Sequence, residues 1–275
     1  VLPHPITGQL FASPVPAGSG WPEDPAAPTS PVARTAAEVA VLAAVDSLAE
    51  LDARVSVCAA CPRLVTWRED VAATKRASFA NQPYWGRPIA GWGSAEPPIL
   101  IVGLAPAANG GNRTGRIFTG DSSGDWLFAS LHRVGLARTA TSVHAGDGQG
   151  LIGARMAAAV RCAPPENKPT PGERDTCAPW IAREVELVAT SLRVVVTLGG
   201  FGWAAALKAL RDAGFAIPKP QPKFGHAHEV VLEGPSGPIT LLGCYHPSQH
   251  NTFTGRLTPE MLDAVFRRAQ ELAGA

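Results

Sequence analysis

The chain lacks any stretch long enough to cross a bilayer as a helix. No run of about 18 apolar residues occurs, so a transmembrane segment is not expected. A basic stretch followed by an apolar one is also missing at its start, which argues against a secretory signal. The expectation is a cytoplasmic protein without a membrane partner, in a compartment that disfavours disulfides. Charge of one sign is lacking too. The 24 Lys and Arg against 23 Asp and Glu leave a net of +1. That balance neither demands nor excludes a polyanionic partner. Its distribution says more, because residues 1–57 carry two arginines and six acids while the remainder is basic. No internal repeat is present. The 275 residues suffice for one α/β domain with a real core.

Residues 1–34 hold eight prolines with little periodicity and read as a flexible leader; the alternative is a strap laid over the body. Residues 35–275 read as the folded domain. "TAAEVAVLAAVDSLAELDARV" predicts one helix, with Thr35 and Glu38 at capping-box spacing. "PPILIVGLAP" reads as a buried strand ending near Leu104. "SSGDWLFASLHRVGLA" predicts a helix, "ARMAAAVRC" a strand and "APWIAREVELVATSL" a helix. "RVVVTLGG" is a strand followed by a helix over "FGWAAALKALRDAG", and "ITLLGCY" is the last strong strand. Thr258, Pro259 and Glu260 open the closing helix. This alternation predicts a parallel sheet covered on both faces. Ligands of such sheets bind beyond the carboxyl ends of the strands. The loops at 104–121, 162–177 and 246–257 fit that position.

Of five cysteines, Cys58 and Cys61 form C-x2-C, and Cys162 and Cys177 flank "APPENKPTPGERDT". They sit beside proline, arginine and charged residues, which suggests a metal or cluster rather than four unrelated thiols. Zinc favours two tight knuckles, and the second spacing is not one. A [4Fe–4S] cluster tolerates scattered ligands. Cys244 lies inside an apolar strand and reads as core.

"GLAPAANGGNRTGRIFTGDSSG" follows the first strong strand. Its glycines let backbone approach a ligand, and the helix start near Ser122 favours negative charge. No GK[ST] occurs and the glycine spacing is not that of a dinucleotide fingerprint. Asp121 reads as a helix N-cap or a functional carboxylate, and Phe118 as core or a stacking ring. "HPSQHNTFTGRLT", after the last strand, places two histidines, a phenylalanine and an arginine on one loop.

These two motifs, with the paired cysteines, resemble family 5 of the uracil-DNA glycosylase superfamily, the type B iron–sulfur enzymes of bacteria and archaea. The resemblance spans about 55–273. It differs from the sister groups where "GLAPAA" has no acid: the classical pattern is GQDPYH, and the family 4 pattern GEAPG has a glutamate where Leu104 stands. No basic insertion of the covalently linking group lies between Arg116 and Phe118.

The resemblance implies a three-layer α/β/α sandwich with a central, mainly parallel sheet in a single domain. It implies excision of uracil and other deaminated bases from double- or single-stranded DNA by a nucleoid-associated monomer. It implies a [4Fe–4S] cluster on Cys58, Cys61, Cys162 and Cys177. Gly103 and Ala105 would form the pocket floor, Phe118 would stack on the flipped base, and Asn167 would read its edge. His246 would donate to the base, and Asp121 would orient or deprotonate the attacking water. Arg113, Ser248, Asn251, Phe253 and Arg256 would hold DNA, with a residue between Gln249 and Phe253 entering the gap left by the base. Two other classes compete. A non-catalytic iron–sulfur nucleic-acid-binding protein would not need Asp121 and His246 together. A phosphate-handling α/β enzyme would need an acid cluster near the glycine-rich loop, which the sequence lacks.

Overall fold

In the computed structural model, residues 1–274 are described. The chain runs β1 (Leu2–Pro3), β2 (Leu10–Phe11), α1 (Ala36–Leu42), α2 (Leu48–Val55), α3 (Pro62–Thr74), β3 (Trp92–Gly93), β4 (Ile99–Gly103), α4 (Gly111–Thr114), α5 (Ser122–Arg133), β5 (Ala154–Ala158), α6 (Pro171–Val188), β6 (Val194–Leu198), α7 (Gly199–Asp212), β7 (Glu229–Leu232), β8 (Ile239–Cys244), α8 (Gln249–Phe253) and α9 (Pro259–Ala273). The large sheet has the order β3-β5-β4-β6-β8-β7. β5, β4, β6 and β8 are mutually parallel, and the edge strands β3 and β7 are antiparallel.

Successive side chains of a strand point to opposite faces, and that alternation sorts the helices. Ile99 and Ile101 of β4 pack with Leu127 and Phe128 of α5 and with Val265 and Phe266 of α9. Leu100 and Val102 pack on the other side with Ile181 and Val185 of α6 and Leu207 of α7. β4, β6 and β8 are buried on both faces and read as near-continuous apolar runs, whereas β5, equally buried, carries Arg155 paired with Asp52 and Glu184. Cys244 is buried among them, as expected. A third apolar cluster joins α1, α2 and α3 to Trp180 of α6. The three layers are those expected, and the carboxyl ends of β4, β5, β6 and β8 lie along one edge.

Four local expectations need correction. The flexible leader is instead a packed strap: Phe11, Val15 and Trp21 are buried in the same apolar cluster as residues of α5 and α9, and the Trp21 ring meets Phe11 and Trp85. Proline restricts the unfolded chain and lowers the entropy lost on ordering, so two aromatic anchors are enough to seat it. The single first helix is two, because Ser47 takes extended geometry and caps α2 with its hydroxyl. α6 begins at Pro171, seven residues before "APW", since Thr170 and Glu173 form a full capping box with proline at the first position. Cys177 therefore lies on a helix and not on a loop. The stretch after β8 holds a short helix, α8, capped by Ser248. Glu184, set among apolar residues of α6, is fully buried and paired with Arg155 and Arg161.

Candidate active site

β4 ends at Gly103, whose missing side chain is a steric requirement. A Cβ there would lie 2.5 Å from Cζ of Phe118. Phe118 itself holds φ at 49°, a left-handed conformation that costs a bulky residue energy. Its carbonyl is accommodated by a second bare position, since a Cβ on Gly124 would stand 2.0 Å from Phe118 O. Thr119 Oγ1 donates to Ile117 O, and Thr114 Oγ1 donates to Thr119 O. Phe118 is thus fixed from both sides, with its ring over the end of β4.

Asp121 is the N-cap of α5 as well as a site carboxylate: its Oδ1 accepts from Gly124 N at 2.9 Å. A Cβ on Gly110 would meet Asp121 Oδ2 at 2.0 Å, so Gly110 keeps room for that oxygen. Burial raises the Asp121 pKa above the ordinary aspartate value, partly opposed by the N–H groups of Gly124 and Ser123.

His246 leaves β8 beside Gly199, where a Cβ would come within 3.3 Å of its own. Its ring is half-buried, tilted 44° to Phe118 with centroids 6.2 Å apart. Desolvation lowers its pKa to about 4, so the imidazole is neutral near pH 7. Asn251 Nδ2 donates to His246 O at 2.8 Å. Asn251 therefore braces the histidine, and the Ser248 hydroxyl accepts from Asn251 N as the cap of α8.

The two arginines of the glycine-rich loop do not face outward. Arg113 is only 5% exposed. It donates to Asn109 O, Gln82 Oε1 and Gly120 O, and lies over the Phe79 ring. Arg113, expected to contact DNA, instead turns each of its three guanidinium nitrogens onto an acceptor within the protein. Arg116 is buried and paired with Glu23 and Asp147. The outward cation is Arg256, exposed and stacked on Tyr245 at 4.6 Å. Phe253 is 80% exposed, so it points away from the core. Asn167 is exposed on the loop after β5, with φ 57°. Ala105 is half-buried and packs against the cysteine cluster.

Cys58, Cys61, Cys162 and Cys177 line one cavity with Leu64, Arg68 and Trp180. Arg68 Nη1 donates to Cys162 Sγ at 3.0 Å, and Arg161 N to Cys177 Sγ at 3.4 Å. Such N–H donors favour charged sulfur. Burial pushes the Cys61 thiol up to about 12 and raises Cys58 and Cys177 as well. As thiolates these groups need a cationic partner. Among the described residues, no three His, Cys, Asp or Glu side chains stand close enough to hold a single ion. Four cysteines lining one cavity, two of them accepting N–H donors, are a donor set that an iron–sulfur cluster could use.

Reading the sequence missed five supports. α3, which carries Arg68, was signalled by Pro62 directly after Cys61. Gln82 and Tyr84 hold Arg113 and Asn109 from outside the motif. His226 accepts from Tyr245 N and stacks on that ring at 4.8 Å. Glu23 belongs to the strap and carried no local signal.

Comparison with known proteins gives the family. The model of the Uracil DNA glycosylase superfamily matches residues 90–270. A type-5 uracil-DNA glycosylase of Mycobacterium tuberculosis is 58% identical over 272 residues, 98% of this chain and 99% of that protein. One from Thermus thermophilus is 48% identical over 219 residues, 80% of this chain and 95% of its own length. One from Pyrobaculum aerophilum is 43% identical over 217 residues, 79% and 89% respectively. With this match extending over both motif loops and the strands that position them, the chain belongs to the uracil-DNA glycosylase superfamily.

Proposed function

We propose that the protein hydrolyses the N-glycosidic bond of uracil in DNA, with Asp121 and His246 as its catalytic residues. The observation that carries this reading is the grouping of Phe118, Asp121 and His246 on loops from one edge of the sheet, around glycines that cannot be enlarged. A base inside a duplex is out of reach, so it is first extruded. Phe118 then offers a ring to the flipped base. The C1′–N1 bond breaks with its electron pair leaving on the base, and neutral His246 donates an N–H to the developing O2 charge. Water adds to C1′ and passes its proton to Asp121, whose raised pKa suits a base. Asn167 is free to read the base edge. Arg256 holds phosphate, and Phe253 fills the gap in the stack.

The substrates extend to hypoxanthine and 5-modified uracils. Small residues at "GLAPAA" support this, because no bulky ring there screens a substituent. Cys58, Cys61, Cys162 and Cys177 hold a [4Fe–4S] cluster. When bound, it pins the segment after α2 to α6 and contributes no chemical step.

The test is alkali cleavage after incubation with a uracil-containing oligonucleotide. Wild-type protein gives strand breaks, and none would refute the activity. Asp121→Asn lowers the single-turnover rate by about 10²–10⁴-fold while binding to abasic DNA is retained. Full activity in that variant would remove the water-activating role.

A further inference from the structure

The N-terminal strap reaches the active-site loop through one carboxylate. Glu23 accepts from Arg116 Nε at 3.1 Å and again from its Nη2, and from Gly146 N at 2.9 Å. Arg116 is 1% exposed and lies two residues before Phe118. Its Nη1 donates to Asp147 Oδ1 and to Ser142 Oγ, at 2.8 and 3.0 Å. Ser142 in turn meets Thr119 Oγ1 at 2.8 Å, and its carbonyl accepts from Gly120 N at 3.0 Å. Thr119 and Gly120 are the two residues between Phe118 and Asp121. The strap also seats Trp21 against the loop, where a Cβ on Gly115 would stand 2.7 Å from Trp21 Nε1. Glu23 holds a left-handed φ of 64°, so its own conformation is imposed by these contacts.

We infer that Glu23 is a positioning residue of the active site: acting through Arg116 and Ser142, it fixes the Phe118–Asp121 turn from a segment far away in the chain. The left-handed Phe118 needs its surroundings to over-determine it. Gly103 and Gly124 only leave space, whereas the chain from Glu23 to Gly120 supplies directional bonds. The inference rests on the proposed roles of Phe118 and Asp121.

A neighbouring ion pair provides the control. Asp24 binds Arg87 through two bonds of 2.9 Å, from the same strap. Arg87 continues to Ser56 and not to the 117–121 turn. Glu23→Ala, Glu23→Gln and Asp24→Ala are compared in the full chain by three readouts. These are single-turnover excision at saturating uracil DNA, affinity for abasic DNA, and amide exchange of the peptide 117–124.

Glu23→Ala lowers the excision rate by about 10- to 100-fold, the range a small misplacement produces, with abasic affinity within about twofold. Amide exchange at Gly120 speeds up. Glu23→Gln, which keeps one acceptor, falls between it and wild type and serves where Glu23→Ala folds poorly. Asp24→Ala loses stability without changing either the rate per folded molecule or the Gly120 exchange. Equal rate losses in Glu23→Ala and Asp24→Ala, each in proportion to unfolded protein, would overturn the inference, as would unchanged exchange at Gly120. Absence of excision in wild type refutes the catalytic reading instead, and the exchange readout still decides the role of Glu23.

Discussion

The protonation state of His246 can be tested against its opposite. Its pKa of about 4, lowered by burial, lies well below the ordinary value of 6.5. Charging the ring in place therefore costs about 3 kcal/mol, and about one imidazole in 10³ is protonated at pH 7. A neutral N–H donor predicts an excision rate that does not rise on acidification from about pH 8 to about pH 6, because His246 stays neutral there and protonating Asp121 can only lower the rate. A mechanism needing the imidazolium predicts a rate rising about tenfold for each unit of acidification over the same range. Single-turnover excision of uracil from duplex DNA across that range separates them, with NMR of the imidazole carbons giving the charge directly. A log-linear rise on acidification, or an imidazolium signal at pH 7, would sink the reasoning. Removing the donor sets the scale: His246→Leu costs about 10²–10³ in rate, as loss of one such donor does elsewhere.

Three further outcomes rest on the same structure. Arg256→Ala reduces the salt slope of DNA binding by about 1, because its exposed guanidinium meets phosphate. Arg113→Met leaves that slope unchanged and instead destabilises the fold by ~3 kcal/mol in urea unfolding, because it strips buried acceptors of their donor; a reduced slope in Arg113→Met would show that arginine on DNA. His144 is buried against His4 with both ring nitrogens unpartnered among the described residues, and burial lowers its pKa to about 3. Its neutral form is favoured on folding, so its stability contribution is complete above pH 6.5 and is lost as pH falls towards 3. Denaturant titrations therefore show a stability loss of up to ~4 kcal/mol from this group over that window, and His144→Phe flattens the slope; an unchanged slope would refute the assignment.

The sheet was legible because most strands buried on both faces are nearly continuous apolar runs, as in "ILIVG", "VVVTL" and "ITLLGC"; β5, which carries Arg155, gave the weakest signal. The places of Asp121 and His246 beyond the carboxyl ends of β4 and β8 were legible from the alternation of strand, loop and helix, whereas their proposed roles came with the family resemblance. The orientation of arginines was not. Arg113 and Arg116 sit on a glycine-rich loop beside a helix start, the setting of a phosphate contact. What turns them inward is Gln82, Glu23 and Asp147, brought in from other parts of the chain. A local reading has no means of finding such partners. Ser47 and the Thr170–Glu173 box, by contrast, were local signals of helix starts. They were outweighed by the continuous apolar pattern across the first helix pair, and by Pro171 and Gly172 suggesting a loop.

Substrate breadth and the cysteine cavity share a wall. Ala105, on the proposed pocket floor, packs with Cys58, Cys61 and Ala90 against the cluster formed by α1, α2 and α3. Leu104 O accepts from Val160 N, and Cys162 follows two residues after Val160. On the far side, Asn112 Nδ2 donates to Arg68 O at 3.1 Å, and the Arg68 guanidinium bonds Cys162 Sγ. The glycine-rich loop is thus tied to the cysteine site both through its first residues and through α4. A bulky side chain at Ala105 would narrow the pocket or press into the cysteine wall, and Gly103 cannot carry one because Phe118 occupies its space. The open base pocket proposed for this chain and its closely packed cysteine cavity would be two consequences of the same small residues.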